Sequence, residues 1–285
     1  MMLKIGIGTA QFGLNYGITN SNGIVEESEV RNILNDNFYS YIDTACSYGV
    51  SEKIIGKNLL EKNKKIITKI ILDEKNICDL ESNFTKSLKK LNREKIFGLL
   101  LHNTSDLSSK SKIKFIEELK KLKDSGMVQK IGISIYNSFD LDDINLDSID
   151  IVQAPLSIYD QRLLSNDTLS KIYDKGILIH IRSIFLQGLI LQKPELWPKN
   201  PKLISLKKHH EIFWKFLEAN NLSPISICMK FISGLQKIDA AIFGISSLSE
   251  YKEIKGSFLK EKGDEYKIDF SSWAYKSKEI DPRYW

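Results

Sequence analysis

Only three cysteines, Cys46, Cys78 and Cys228, occur in the 285 residues. An odd number without metal-ligand spacing rules out a disulfide framework and reads as free thiols in a reducing compartment. The four histidines, His102, His180, His209 and His210, do not fall at metal-site spacings, so no metal is expected. Neither sign of charge dominates, with 41 Lys and Arg against 36 Asp and Glu and a net charge of +5. The lysines are scattered, which argues against a dedicated nucleic-acid surface. No apolar run is long enough to span a bilayer. Leu3-Lys4-Ile5 opens a strand directly with no signal-peptide pattern, and a cytoplasmic location is expected. Internal repeats, low-complexity tracts and domain linkers are also missing. No Gly-x-Gly-x-x-Gly follows the first strand, which disfavours a doubly wound dinucleotide fold.

What is present is an alternation of short β-branched runs with longer amphipathic ones, the pattern of βα units on a parallel sheet. Eight strands are predicted: Lys4 to Gly8, Tyr41 to Thr44, Ile66 to Lys69, Ile96 to Leu101, Lys130 to Ser134, Ile149 to Gln153, Ile177 to Ile181 and Ala241 to Gly244. Helical stripes lie between them. Val30, Ile33, Leu34 and Phe38 form one, and Ile77, Leu80, Phe84, Leu88 and Leu91 a second. Ile113, Ile116, Leu119 and Leu122 form a third, which Gly126 stops. Ser223-Pro224 reads as cap and first helical residue before Ile225, Cys228, Met229 and Ile232. Eight such units close into a single (β/α)8 TIM barrel spanning residues 1–285, with a tail from about Gly263 to Trp285. About sixty residues separate the last two strands, including a loop with Pro194, Pro198 and Pro201; loops that long tend to be functional. The tail is rich in Trp and Tyr and reads either as a lid over the active face or as a strap on the barrel wall.

Chemistry-bearing residues cluster at strand ends. Tyr41-Ile42-Asp43 ends in a carboxylate, and Tyr48 follows in the loop before Ser51-Glu52. Ile66-Ile67-Thr68-Lys69 ends in a lysine, and Phe97 to Leu101 runs into His102. Asp43, Tyr48, Lys69 and His102, in this order on three successive strands, resemble the catalytic tetrad of the aldo-keto reductases. Gly8-Thr9-Ala10-Gln11-Phe12-Gly13 also resembles that family's first strand and loop. The resemblance covers nearly the whole chain. It implies hydride transfer between NAD or NADP and an aldehyde or ketone, possibly a sugar. The chemistry is self-consistent. A phenol is a poor proton donor at neutral pH unless its pKa is lowered, an ammonium lowers it, and a carboxylate keeps that ammonium charged. His102 would orient the carbonyl oxygen and stabilise its negative charge. Lys69 and Asp43 also read as a structural ion pair, His102 as a core imidazole and Tyr48 as a packing residue.

For the cofactor, the resemblance implies Ser134 and Gln153 at the nicotinamide carboxamide, with Ile135 where relatives carry Asn. Gly244-Ile245-Ser246-Ser247-Leu248-Ser249-Glu250 resembles the family's phosphate-binding turn. Ser247 and Glu250 form a Ser-x-x-Glu capping box at the start of a helix. Gly244 and Glu250 stand where many relatives place basic residues for the 2′-phosphate, so NADP and NAD both stay open. Arg182 replaces the aromatic residue that stacks on the nicotinamide. It needs an anionic or planar partner: Asp160, a dinucleotide group, or an acidic group on the substrate. Two other functions fit the same residues: a cofactor-binding regulatory or partner protein, and a sugar epimerase or dehydratase with a tightly held dinucleotide.

Overall fold

The computed structural model describes residues 3–72, 79–102, 104, 107–165, 167–260 and 268–285. Ile77, Cys78 and the start of the tail at Gly263 lie outside the described residues. Eight parallel strands form a closed barrel in chain order: β1 (Lys4–Gly8), β2 (Tyr41–Asp43), β3 (Lys65–Ile70), β4 (Ile96–Leu101), β5 (Val128–Ser134), β6 (Ile151–Pro155), β7 (Leu178–Arg182) and β8 (Ala240–Gly244). β8 pairs back onto β1, with Gly8 opposite both Gly244 and Asp43. The predicted (β/α)8 TIM barrel is therefore the observed fold, with strand ends shifted by two residues at most.

The helices are α1 (Glu27–Leu34), α2 (Ser51–Asn58), α3 (Leu80–Leu91), α4 (Ser109–Asp124), α5 (Thr168–Asp174), α6 (Ile204–Ala219), α7 (Pro224–Ser233) and α8 (Leu248–Lys260). They are not distributed one per strand. β5 connects to β6 through two short 3-10 turns, and β7 connects to β8 through both α6 and α7. The apolar stripes of α1, α3 and α7 face the strands as expected, although Phe38 lies beyond the end of α1. On α4 the stripe is rotated. Phe115, Ile116, Leu119 and Leu122 are buried, while Ile113 is 53% exposed. Ser223 and Pro224 do begin α7, but the Ser223 side chain makes no capping hydrogen bond.

Side chains alternate between the barrel interior and the helix layer along each strand. The lower interior is an apolar plug of Tyr41, Ile67, Leu100, Ile151, Ala240 and Ile242. Two residues further along β2, β3 and β6 the same side carries Asp43, Lys69 and Gln153. The period-2 pattern thus lifts three polar side chains onto the apolar plug, at the C-terminal end of the barrel where active sites of this fold sit.

Candidate active site

Asp43 is 4% exposed and Lys69 is fully buried. Lys69 Nζ donates to Asp43 Oδ2 at 2.6 Å and to the Thr44 carbonyl at 2.9 Å. Gln153 Nε2 donates to Asp43 Oδ1 at 2.7 Å, so both carboxylate oxygens are satisfied, as a buried charge requires. Burial lowers the Lys69 pKa, and the Asp43 charge opposes that shift. Thr68, next to Lys69, donates to the buried carboxylate of Glu52 at 2.7 Å. This fixes the end of β3 against the start of α2.

Tyr48 lies in the loop between β2 and α2, held by a close crossing with the loop after β1. A Cβ on Gly13 would strike the Tyr48 carbonyl and the Ser51 amide. Gly49 has φ +56°, and a Cβ there would strike the Gly13 carbonyl. Only glycine at both positions lets the backbones pass this closely. Ser51 Oγ donates to Thr9 O at 2.9 Å and binds the two loops together. The Tyr48 ring centroid is 5.3 Å from Lys69 Nζ and 5.8 Å from the His102 ring. Its hydroxyl is not hydrogen-bonded to any described residue. Burial, then the Asp43 charge, push the Tyr48 pKa up, while Arg182 pulls it down. The sequence argument gave Lys69 the lowering role. In the folded chain the lowering charge is that of Arg182 instead, and burial outweighs it. His102 follows β4, and its pKa falls to about 3 through burial and the charges of Lys69 and Arg182, so the imidazole is neutral. Its Nδ1 is 3.3 Å from Ser47 Oγ.

These groups open onto a cavity of about 350 Å³. Asp43, Tyr48 and His102 line it together with Arg182 and Tyr136 and with Gly244, Ser246 and Glu250. Ser134 and Gln153 are buried and do not line it; each keeps an oxygen, Oγ and Oε1, without a partner. Arg182 does not meet Asp160, which forms an ion pair with Arg162 at 2.7 Å. Its planar partner is Tyr136, 4.4 Å from the guanidinium carbon.

The cavity is roofed by two loops. Ile18 N–H donates to Gln187 Oε1 at 2.9 Å, and Thr19 Oγ1 donates to Gln187 O at 2.7 Å. The loop after β7 holds Ser183, Leu186 and Gln187 at φ +61°, +49° and +54°, values that non-glycine residues seldom adopt. Gly188 follows at φ +88°, where a Cβ would strike Thr19 Oγ1.

Where β8 leads into α8, Glu250 N–H donates to Ser247 Oγ at 3.1 Å, one half of the expected capping box. The other half differs. The Glu250 carboxylate accepts from Ser246 N–H and Ser246 Oγ, both at 2.6 Å, rather than from the Ser247 amide. A second carboxylate, Glu29 of α1, accepts from Leu248 N–H at 3.3 Å.

His180 lies in the barrel interior, fully buried against Tyr41 at 4.7 Å, and both ring nitrogens lack partners. His210 sits between Tyr159 Oη and the Gln192 carbonyl and stacks on Trp197. His209 meets the Trp273 carbonyl. Burial raises the Cys46 pKa, the opposite of what a reactive thiol needs. Among the described residues no cluster of three His, Cys, Asp or Glu is arranged to hold a metal, and no helix is long and apolar enough to cross a membrane. The sequence argument did not reach Tyr136, Gln187 or Glu29. Gln11 was within the quoted Gly8–Gly13 stretch, and its Oε1 is buried without a partner on the cavity lining.

Among solved structures, an aldo-keto reductase of Bacillus halodurans in holo form superposes with TM-score 0.74, covering 99% of this chain and 100% of that one at 18% identity. A glycerol dehydrogenase of Gluconobacter oxydans superposes with TM-score 0.70, covering 95% and 90% at 20% identity. At such identities the likeness speaks for the fold. No curated protein sequence matches significantly. The sequence model of the Aldo/keto reductase family matches residues 4–269. With a closed parallel barrel carrying Asp43, Tyr48, Lys69 and His102 at one end, and that family match over nearly its whole length, the chain belongs to the aldo/keto reductase family, a family of oxidoreductases.

Proposed function

We propose that the chain reduces an aldehyde or ketone, or oxidises the corresponding alcohol, with NAD or NADP as the hydride carrier and Tyr48 as the proton donor. The observation that carries this is the convergence of Tyr48, the Asp43–Lys69 pair and neutral His102 on one cavity. The site suits a dinucleotide. Gln11 offers an amide oxygen with no partner among the described residues, and Gly244 sits against that amide. Gly244, Ser246 and Ser247 would hold the phosphate and ribose part, with Glu250 at its end. Arg182 would lie beside the nicotinamide. Ser134 Oγ and Gln153 Oε1 lie behind the cavity lining and would reach an amide N–H only if the side chains between them and the cavity shift. When bound, the nicotinamide supplies or takes up the hydride.

The chain's own groups handle the proton. An ammonium has three N–H donors. Two of those on Lys69 are held by Asp43 and Thr44, and the third has the Tyr48 ring 5.3 Å away. As the carbonyl oxygen gains negative charge it takes the phenolic proton, and Lys69 stabilises the phenolate left behind. With Ser47 Oγ donating to its Nδ1, neutral His102 keeps a proton on Nε2 for the same oxygen. Tyr48→Phe tests the assignment. Carbonyl turnover should fall by about 100-fold or more while dinucleotide affinity, read by fluorescence titration with NADH and NADPH, stays within a few-fold. A variant that kept half of the wild-type kcat would refute Tyr48 as the donor.

A further inference from the structure

Arg182, which lines the cavity, differs from its neighbours Arg162 and Arg283, which do not. Arg162 pairs with Asp160 at 2.7 Å and with Asp281 at 3.6 Å. Arg283, from the C-terminal tail, pairs with Asp281 at 2.7 Å. Arg182, half-buried on the cavity wall, has no carboxylate partner among the described residues. A guanidinium has five N–H donors. Arg182 aims Nη1 at Ser183 Oγ, 3.3 Å away, and Nη2 at the Ile135 carbonyl, 3.2 Å away, which leaves the remaining donors without a partner among the described residues. The group is nonetheless held in place. Tyr136 packs against it, and Arg283 packs on the same ring with its carbon 3.7 Å from the centroid. A partly buried, pre-oriented and uncompensated guanidinium costs free energy unless an anion completes it.

The position of that charge selects the ligand. Arg182 shares the cavity with Tyr48 and His102, and its charge lowers the pKa of both. The Glu250 carboxylate also lines the cavity, but it is not among the charges that act on Tyr48 or His102. The other lining carboxylate, Asp43, is already paired with Lys69, and the remaining residues are uncharged, polar ones such as Gln11, Asn20 and Gln187 beside apolar ones such as Ile184, Phe185 and Phe243. A negatively charged group on the substrate is therefore drawn to Arg182, beside the groups that act on the carbonyl.

We propose that Arg182 forms an anion subsite beside the reacting carbonyl, so that the substrates are aldehydes or ketones bearing a carboxylate or a phosphate. This rests on the carbonyl-reductase reading above.

The test compares matched substrates: succinic semialdehyde with butanal for a carboxylate, and glyceraldehyde 3-phosphate with glyceraldehyde for a phosphate. Wild-type enzyme should show a higher kcat/KM for the charged member, and the pair with the larger ratio identifies the anion. Arg182→Met should reduce that ratio by about tenfold or more, the loss expected for a charge-assisted hydrogen bond. Arg182→Lys, which keeps the charge but not the fork, should fall between, and it serves if the Met variant does not fold. A second readout needs no turnover. Malonate should raise the melting temperature of wild type but not of the Arg182 variant, and uncharged malonamide should raise neither. A charged-to-neutral ratio equal in wild type and variant overturns the proposal, including when dinucleotide affinity falls instead. Equal stabilisation of both proteins by malonate also overturns it. Arg182-dependent stabilisation by malonate, with no turnover of any aldehyde, supports the anion subsite and counts against the reductase reading alone.

Discussion

Lys69 ties the catalytic reading to stability, because one ammonium serves both. It is fully buried and holds Asp43 Oδ2 and the Thr44 carbonyl. Burial lowers its pKa, and the Asp43 charge opposes that shift. Lys69→Met leaves the Asp43 carboxylate with Gln153 as its remaining side-chain partner. Breaking a buried pair from one side costs about 3 kcal/mol or more, which urea denaturation at pH 7.5 would register. Turnover should be lost with it, because nothing then stabilises the Tyr48 phenolate. The double variant Asp43→Asn, Lys69→Met removes both charges and should recover part of the stability while regaining no activity. If the single variant is as stable as wild type, the pair is not the buried ion pair described here. If the double variant is active, the ammonium is not needed for the proton.

At the level of elements, the start of α8 departs most from a phosphate site. A helix N-terminus attracts anions because its first N–H groups are unpaired. Here two carboxylates already occupy that position, Glu250 on Ser246 and Glu29 on Leu248. A 2′-phosphate would meet both charges, whereas a ribose hydroxyl can donate to them. The chain should therefore discriminate weakly between NADH and NADPH or favour NADH, and Glu250→Gln should raise the NADPH-to-NADH ratio of kcat/KM by about tenfold. A wild-type preference for NADPH above about 100-fold contradicts this. Glu250 was legible in the sequence because it lies on the helix it caps. Glu29 was not, since its contact with Leu248 spans 219 residues. The same contrast holds across the fold. All eight strands could be read because short apolar runs alternate with longer amphipathic ones along the chain. The 3-10 turns between β5 and β6 could not, because a missing helix leaves no periodic signal. Ile113 was misplaced because Phe115 buries the competing face of α4. Asp160 was a reasonable partner for Arg182 by position, but Arg162, two residues along, takes it.

Across the whole molecule, the barrel stores neutral imidazoles that acid must charge. His102 and His180 have pKa values lowered to about 3, and His210 to about 4, each mainly by burial. His180 is the extreme case, fully buried with no partner for either nitrogen and the charges of Lys4, Lys69 and Lys65 acting against its protonation. In the unfolded chain all three titrate near 6.5. Between 6.5 and about 4 the unfolded state therefore binds more protons than the folded one, and stability falls as pH falls. The contribution is intact above 6.5 and is lost progressively below it. Each histidine adds up to about 1 kcal/mol per pH unit, so the three together should remove about 3 kcal/mol between pH 6.5 and 5.5. The buried carboxylates with lowered pKa, such as Asp150 and Asp281, act only below about 4 and do not disturb this window. Urea midpoints measured at half-unit steps from pH 8 to 5 should be level above 7 and then decline, and His180→Met should make the decline shallower by about a third. A midpoint that stays constant down to pH 5 would mean that the imidazoles find partners in the folded state and that the barrel interior is wetter than its burial indicates.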